Sequence, residues 1–145
     1  MAGPDELAAL LELAATELAA VSADGVREAL AGLLSPVDQA ALTGRFAEEM
    51  AVSIRHAVSS GIAGWRDDDL AYVSDWGFDL TRISVPVAVW QGRQDRMVPF
   101  EHGQWLAAEV PTARAHLFST EGHLSLVDRF SELLADLIAS ADHVR

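Results

Sequence analysis

The stretch Val85-Pro86-Val87-Ala88-Val89-Trp90-Gln91-Gly92-Arg93-Gln94-Asp95-Arg96-Met97-Val98-Pro99 decides how the rest of the sequence is read. Val85 to Trp90 is a nearly continuous apolar run rich in β-branched residues, the pattern of a short parallel strand covered on both faces. Gly92 permits a backbone bend after the strand, and Pro99 keeps the loop from running back into sheet. Between them the loop presents Asp95. Open α/β sheets place their working groups at the carboxyl ends of parallel strands. Asp95 is therefore a candidate functional acid, and its partner has to come from elsewhere in the chain.

Downstream, a helix is expected from about Phe100 to Val110, closed by Pro111. Arg114-Ala115-His116-Leu117-Phe118 reads as a second short strand, followed by Ser119-Thr120-Glu121-Gly122-His123. Leu126, Phe130, Leu133, Leu134, Leu137 and Ile138 then mark an amphipathic helix from Leu124 to about Ala141. The order β-loop-α-β-loop-α is that of an α/β protein with parallel strands and helical crossovers. Consecutive parallel strands normally lie side by side, so their carboxyl ends are roughly 5 Å apart. Asp95 and His123 each follow such an end, 28 residues apart, and can meet there. An aspartate accepting Nδ1–H fixes the imidazole tautomer and leaves Nε2 as a general base. The same residues fit a second reading, with Asp95 a loop cap bonded to local backbone and His123 a helix-start residue.

Upstream of residue 60 the chain reads as all-helical. Asp5 and Glu6 suit a helix start, and Leu7, Leu10, Leu11, Ala14, Leu18 and Val21 recur at helical spacing. Ser22 can cap a second expected helix running through Leu34, with Val26, Leu30, Leu33 and Leu34 on one face. Ser35-Pro36 restarts the helix, serine at the cap and proline at the first position. Thr43 or Gly44 opens a longer one bearing Phe46, Met50, Ile54 and Val58, and Ser59-Ser60-Gly61 ends it. From Gly61 to Ser84 the pattern is irregular, and aromatic residues (Trp65, Tyr72, Trp76, Phe78) alternate with aspartates. Asp67, Asp68 and Asp69 read as a solvated helix start, because a hard-cation loop needs spaced carboxylates with a glycine turn. The tryptophans read as core or pocket wall.

The chain has 145 residues and a formal net charge of −12, with half of its residues hydrophobic. That is enough to bury a core in one ordinary domain. The charge argues against nucleic acid or an anionic membrane as partner. The absence of cysteine excludes disulfides, thiolate nucleophiles and thiolate-bound zinc. His56, His102, His116 and His143 lack metal-ligand spacing, so neither a metal nor a cofactor is expected. Arg93 and Arg96 flank Asp95 and read as surface charge balance. The acidic opening Met1-Ala2-Gly3-Pro4-Asp5-Glu6 is unlike a signal peptide, no apolar run is long enough to span a bilayer, and a cytoplasmic location is expected.

The stretch Val85 to Pro99, with its Gly92-Arg93-Gln94-Asp95-Arg96-Met97-Val98-Pro99 core, followed by Glu121-Gly122-His123, resembles the carboxyl-terminal half of an α/β-hydrolase. In that family an acid in a G-x-x-D-x-x-V-P setting and a later histidine complete a nucleophile–acid–histidine triad. The resemblance makes Asp95 the triad acid and His123 the base, and it implies hydrolysis of a small ester, amide or related bond. It makes residues 1–75 a helical cap-like segment and residues 76–145 the carboxyl-terminal part of the core. The family's G-x-S-x-G nucleophile elbow occurs nowhere in the 145 residues. Ser125, two residues past His123, sits on an expected first helical turn and is not read as a nucleophile. Two functions follow as expectations. One is a hydrolase half, inactive alone and given its small-molecule substrate when completed by an amino-terminal half. The other is a non-catalytic remnant that binds a partner, with homo-oligomerisation as a way to cover open strands.

Overall fold

The computed structural model describes residues 4–142. Met1 to Gly3 of the acidic opening and His143 lie outside the described residues. Among the described residues, seven helices and two strands follow in the order α1 Pro4–Leu18, α2 Ala23–Leu30, α3 Pro36–Ala41, α4 Gly44–Val58, α5 Ala63–Tyr72, β1 Val87–Gly92, α6 Phe100–Glu109, β2 Ala113–Phe118 and α7 Phe130–Asp142. Short 3-10 turns occupy Leu80–Arg82 and Ser125–Arg129.

Two compact units form, and they interleave along the sequence. The first holds the described residues up to Ala29 together with Gly44–Phe78; the second holds Leu30–Thr43 together with the residues from Asp79 onward. In the first unit α1 packs on α4 and α5, around buried Leu11, Val26, Ala47 and Ala51. Arg55 of α4 donates to Val21 O at 2.6 Å, tying that helix to the turn after α1. Tyr72, Trp76 and Phe78 are exposed; Trp76 and Phe78 stack at 5.8 Å and line a surface hollow with Asp68 and Asp75.

In the second unit β1 and β2 form a two-stranded parallel sheet, from Val87 opposite Ala113 to Gly92 opposite Phe118. The connection between them runs through α6, which packs on both strands, with Phe100 and Val110 buried at its two ends. α3 packs against the 3-10 turn at Ser125–Arg129, and α7 follows that turn. The parallel α/β arrangement is the one read from the sequence.

Several boundaries differ, each for a local reason. The first strand begins at Val87, since Pro86 has no N–H to give a ladder, and it is not covered on both faces: Ala88 is exposed. α2 ends at Leu30 instead of Leu34, where Leu33 N–H closes a tighter i→i−3 turn onto Leu30 O at 2.8 Å. The aspartates Asp67 to Asp69 lie in the middle of α5, which starts at Ala63. Of the tryptophans read as core or pocket wall, Trp76 is exposed and lines a surface hollow, and Trp65 is half-buried. The last helix is preceded by a 3-10 turn over Ser125–Arg129.

Candidate active site

β1 and β2 end side by side at Gly92 and Phe118, and the acid loop and the histidine loop leave from there. Arg93 N–H donates to Phe118 O at 2.8 Å, one step past the strands. Gln94 N–H donates to Glu121 O at 2.8 Å and its side chain to Thr120 O at 3.1 Å, so the two loops are laced directly together. Gly92 makes room for this lacing. A Cβ there would lie 2.2 Å from Glu121 O. Its backbone is not among the left-handed glycines, so the requirement is the close approach and not the freedom to bend.

Asp95 uses its two oxygens differently. Oδ1 accepts from the N–H groups of Met97 and Val98, both at 2.8 Å. Oδ2 faces His123 Nδ1 at 2.8 Å and accepts from Gln91 Nε2 at 3.0 Å. Asp95 thus bonds local backbone with one oxygen and faces His123 with the other. An ionised carboxylate only accepts, so the Nδ1 that faces it carries the proton. The Nε2 lone pair is then directed away from the acid, and it makes no hydrogen bond among the described residues. The Asp95 side chain is 3% exposed and that of His123 42% exposed, so the acid is screened while the imidazole reaches solvent.

Gln91 is a positioning group that the residue pattern did not single out. It is buried on β1, and its amide also donates to Val98 O at 3.2 Å. It fits because position 103 on α6 is glycine: a Cβ there would lie 2.8 Å from Gln91 Cβ.

The loop carrying His123 is held from both sides. Gly122 N–H donates to Ser125 Oγ at 2.8 Å, and that hydroxyl donates to Glu121 Oε2 at 3.0 Å. Arg129 donates to Glu121 Oε1 at 3.1 Å and lies over the Phe118 ring. Ser125 is buried, with its hydroxyl committed inside the loop. From the other side comes Asp38 of α3, a residue to which the sequence reading gave no role. It is fully buried, and its Oδ1 accepts from Leu124 N–H at 2.8 Å and Ser125 N–H at 3.0 Å. Its Oδ2 accepts from Ser35 Oγ at 2.7 Å. Burial alone would raise its pKa. The N–H groups of Ser125, His123 and Leu124 and the Ser35 hydroxyl outweigh that and hold it below the usual carboxylate value.

The other residues marked in the sequence do different work. Arg93 stacks over the Phe100 ring at 4.2 Å, and Arg96 donates to Leu34 O at 3.3 Å; neither is ion-paired with Asp95. His102 is exposed on α6. His116 stacks on Trp90 at 4.2 Å and lies 3.3 Å from Asp136 Oδ2 of α7. Among the described residues, no group of three or more histidine and acidic side chains is arranged to hold a metal ion. Nor is any helix of the described residues long and apolar enough to cross a membrane.

Two parallel strands that bring an acid and a histidine together are consistent with a partial α/β fold, and the known proteins that the chain matches are α/β-hydrolases. A 2-hydroxy-6-oxononadienedioate/2-hydroxy-6-oxononatrienedioate hydrolase of Paraburkholderia phymatum is 36% identical over 67 residues, 44% of this chain and 23% of its own. A 2-hydroxy-6-oxo-6-phenylhexa-2,4-dienoate hydrolase of Burkholderia cepacia is 38% identical over 64 residues, 42% of this chain and 22% of its own. A 2-hydroxymuconate semialdehyde hydrolase of Pseudomonas putida is 29% identical over 107 residues, 72% of this chain and 35% of its own. Part of the chain is thus similar to curated members of the α/β-hydrolase family. These matches span between 22% and 35% of the relatives' own lengths. No protein-family model matches the chain, and no solved structure matches it.

Proposed function

We propose that the chain supplies the acid and base of a hydrolytic triad, Asp95 and His123, to a hydrolase acting on a small carbonyl compound in the cytoplasm. The observation that carries this reading is the 2.8 Å contact between Asp95 Oδ2 and His123 Nδ1, with the opposite ring nitrogen directed away. In such a triad the carboxylate stabilises the imidazolium that forms when Nε2 takes the proton of the attacking hydroxyl. The nucleophile and its oxyanion donors come from an amino-terminal half of the fold, because residues 1–145 contain no G-x-S-x-G motif. The names of the relatives point to oxo-dienoic and semialdehyde acids as the substrate class.

The test has two arms. The isolated chain should hydrolyse p-nitrophenyl acetate no faster than buffer and should resist labelling by a serine-directed fluorophosphonate. Labelling at any of its serines would overturn the external nucleophile. Joined to an amino-terminal half that carries the elbow, the complex should turn over and His123→Ala should abolish turnover; unchanged activity in that variant removes His123 from the mechanism. A second reading, a non-catalytic binding module that self-associates, is favoured by one observation. The sheet has two strands, so each leaves one edge unpaired among the described residues. Sedimentation equilibrium decides it: a homo-oligomer that gains no activity with the amino-terminal half fits only this second reading.

A further inference from the structure

We propose that Asp38 is a positioning residue for His123, a buried carboxylate that sets the backbone on either side of the histidine and so aims its imidazole at Asp95. The proposal rests on the reading of Asp95 and His123 as an acid–base pair, and it names what holds that pair in register.

A carboxylate with no exposed surface is expensive unless its charge is met by donors. The donors it has are not scattered. Leu124 N–H and Ser125 N–H belong to the two residues that follow His123, and both converge on one oxygen, Oδ1. The residue before His123 is shaped to the same carboxylate: a Cβ on Gly122 would lie 2.2 Å from Asp38 Oδ2. Asp38 thus grips His123 from both chain neighbours without touching its ring. The Ser35 hydroxyl holds Oδ2 and thereby the carboxylate plane, and Ser35 itself caps α3. Among the described residues no arginine is paired with Asp38, so the backbone of the histidine loop is the main counterpart of its charge. If Asp38 served only to fasten α3, its ligands would not need to be the residues flanking the one imidazole that meets Asp95. A hydrogen bond of 2.8 Å survives displacements of only a few tenths of an ångström, so releasing residues 122–125 should release the pair.

The experiment is nitrogen-15 NMR of the histidine rings of the full chain at a pH where they are neutral. His116, stacked on Trp90 in the same compact unit, serves as the internal control for packing. In the wild type, His123 should be predominantly the Nδ1–H tautomer. Asp38→Ala should change its tautomer ratio by about tenfold or more, the scale of losing a charge-assisted hydrogen bond. Asp38→Asn and Ser35→Ala should give smaller changes in the same direction, and the His116 shifts should stay fixed. The deciding variant is the strongest of these in which His116 keeps its wild-type shifts. A wild-type His123 tautomer there overturns the positioning role, and so does a set in which His123 moves only when His116 moves. Failure of the underlying reading looks different: wild-type His123 would lack the Nδ1–H bias, or Asp95→Asn would leave it unchanged.

Discussion

Asp95 and His123 sit 2.8 Å apart, yet the loops that carry them are held in opposite ways. Apart from His123, the partners of the Asp95 carboxylate are local. Asp95 Oδ1 is bonded to residues two and three positions further on, and Oδ2 to a glutamine four positions back. The histidine loop depends on a carboxylate 86 residues upstream, on a six-residue helix. The Asp95 carboxylate is fixed by its own turn and strand, although its loop also reaches Phe118, Thr120 and Leu34; the histidine loop is incomplete until a distant carboxylate docks. The contrast predicts that the Asp95 turn tolerates loss of the Asp38 carboxylate while the histidine loop does not.

The largest effects should come from the pair itself, where the two loops are equivalent. In a complex completed by a nucleophile-bearing half, Asp95→Asn should lower kcat by about 10⁴-fold, since the asparagine favours the wrong imidazole tautomer. His123→Ala should cost at least as much. Steady-state kinetics on the joined complex checks both, and a loss of under tenfold for Asp95→Asn would mean that the pair is not the acid–base couple.

Next in size is the asymmetry between the loops. Asp38→Ala strands two buried N–H groups and should destabilise the chain by about 3 kcal/mol in urea unfolding, more than any change confined to the acid loop's surface. The same residue gives a pH dependence. Its folded pKa lies below the unfolded value of about 3.9, so its stabilisation is complete above that value and is lost as pH falls through the lower, folded one. Asp38→Asn cannot titrate and should show a flatter acid limb between about pH 4 and the acid transition. An acid limb identical to wild type would show that the carboxylate is not the ionised staple inferred from its donors.

The two glycines that let the loops close differ as well. At Gly92 the obstacle to a Cβ is backbone, Glu121 O at 2.2 Å; at Gly122 it is the end of the Asp38 side chain, also at 2.2 Å. Backbone cannot step aside, so Gly92→Ala should cost about 2–3 kcal/mol and part the two loops together. Gly122→Ala should cost less, and its penalty should shrink in an Asp38→Ala background. A double-mutant cycle measures that coupling. Equal penalties in both backgrounds would separate Gly122 from Asp38.

The same difference explains what could be read from residues alone. Gly92, Asp95 and Pro99 lie in one short stretch, and glycine, acid and proline after an apolar run are local signals; so is a histidine after a second such run. The parallel pairing of β1 with β2 followed from the short helical crossover between them. The exact strand ends did not, because Val85 looks like strand while Pro86 removes the N–H that the ladder needs. Asp38 was invisible for a more instructive reason. Ser35-Pro36-Val37-Asp38 has the spacing of a capping box, in which the acid folds back onto its own helix start. Here Ser35 does cap, but Asp38 turns Oδ1 outward to Leu124 and Ser125. The pattern was present in the sequence and the target was not, since nothing local encodes a partner 86 residues away. Gln91 was hidden similarly: a polar residue at the end of an apolar run gives no sign that it will be buried against a glycine on α6.

The smallest effect tests whether that capping box is ordinary. Ser22 and Ser35 both stand before short helices, and both hydroxyls meet a backbone N–H three residues on, Gly25 at 3.1 Å and Asp38 at 3.4 Å. A plain cap is worth about 1 kcal/mol or less when exposed, so Ser22→Ala should fall near ~0.5 kcal/mol. Ser35 has a second bond, donated to the buried Asp38 carboxylate at 2.7 Å, which Ser22 has no counterpart for. Ser35→Ala should therefore cost about 1–2 kcal/mol, the upper part of the capping range, although its N–H contact is the longer of the two. In an Asp38→Ala background the excess should vanish and the two serines should become equal. If Ser35→Ala costs no more than Ser22→Ala in the wild type, the hydroxyl is only a cap, and the carboxylate is oriented by the histidine loop alone.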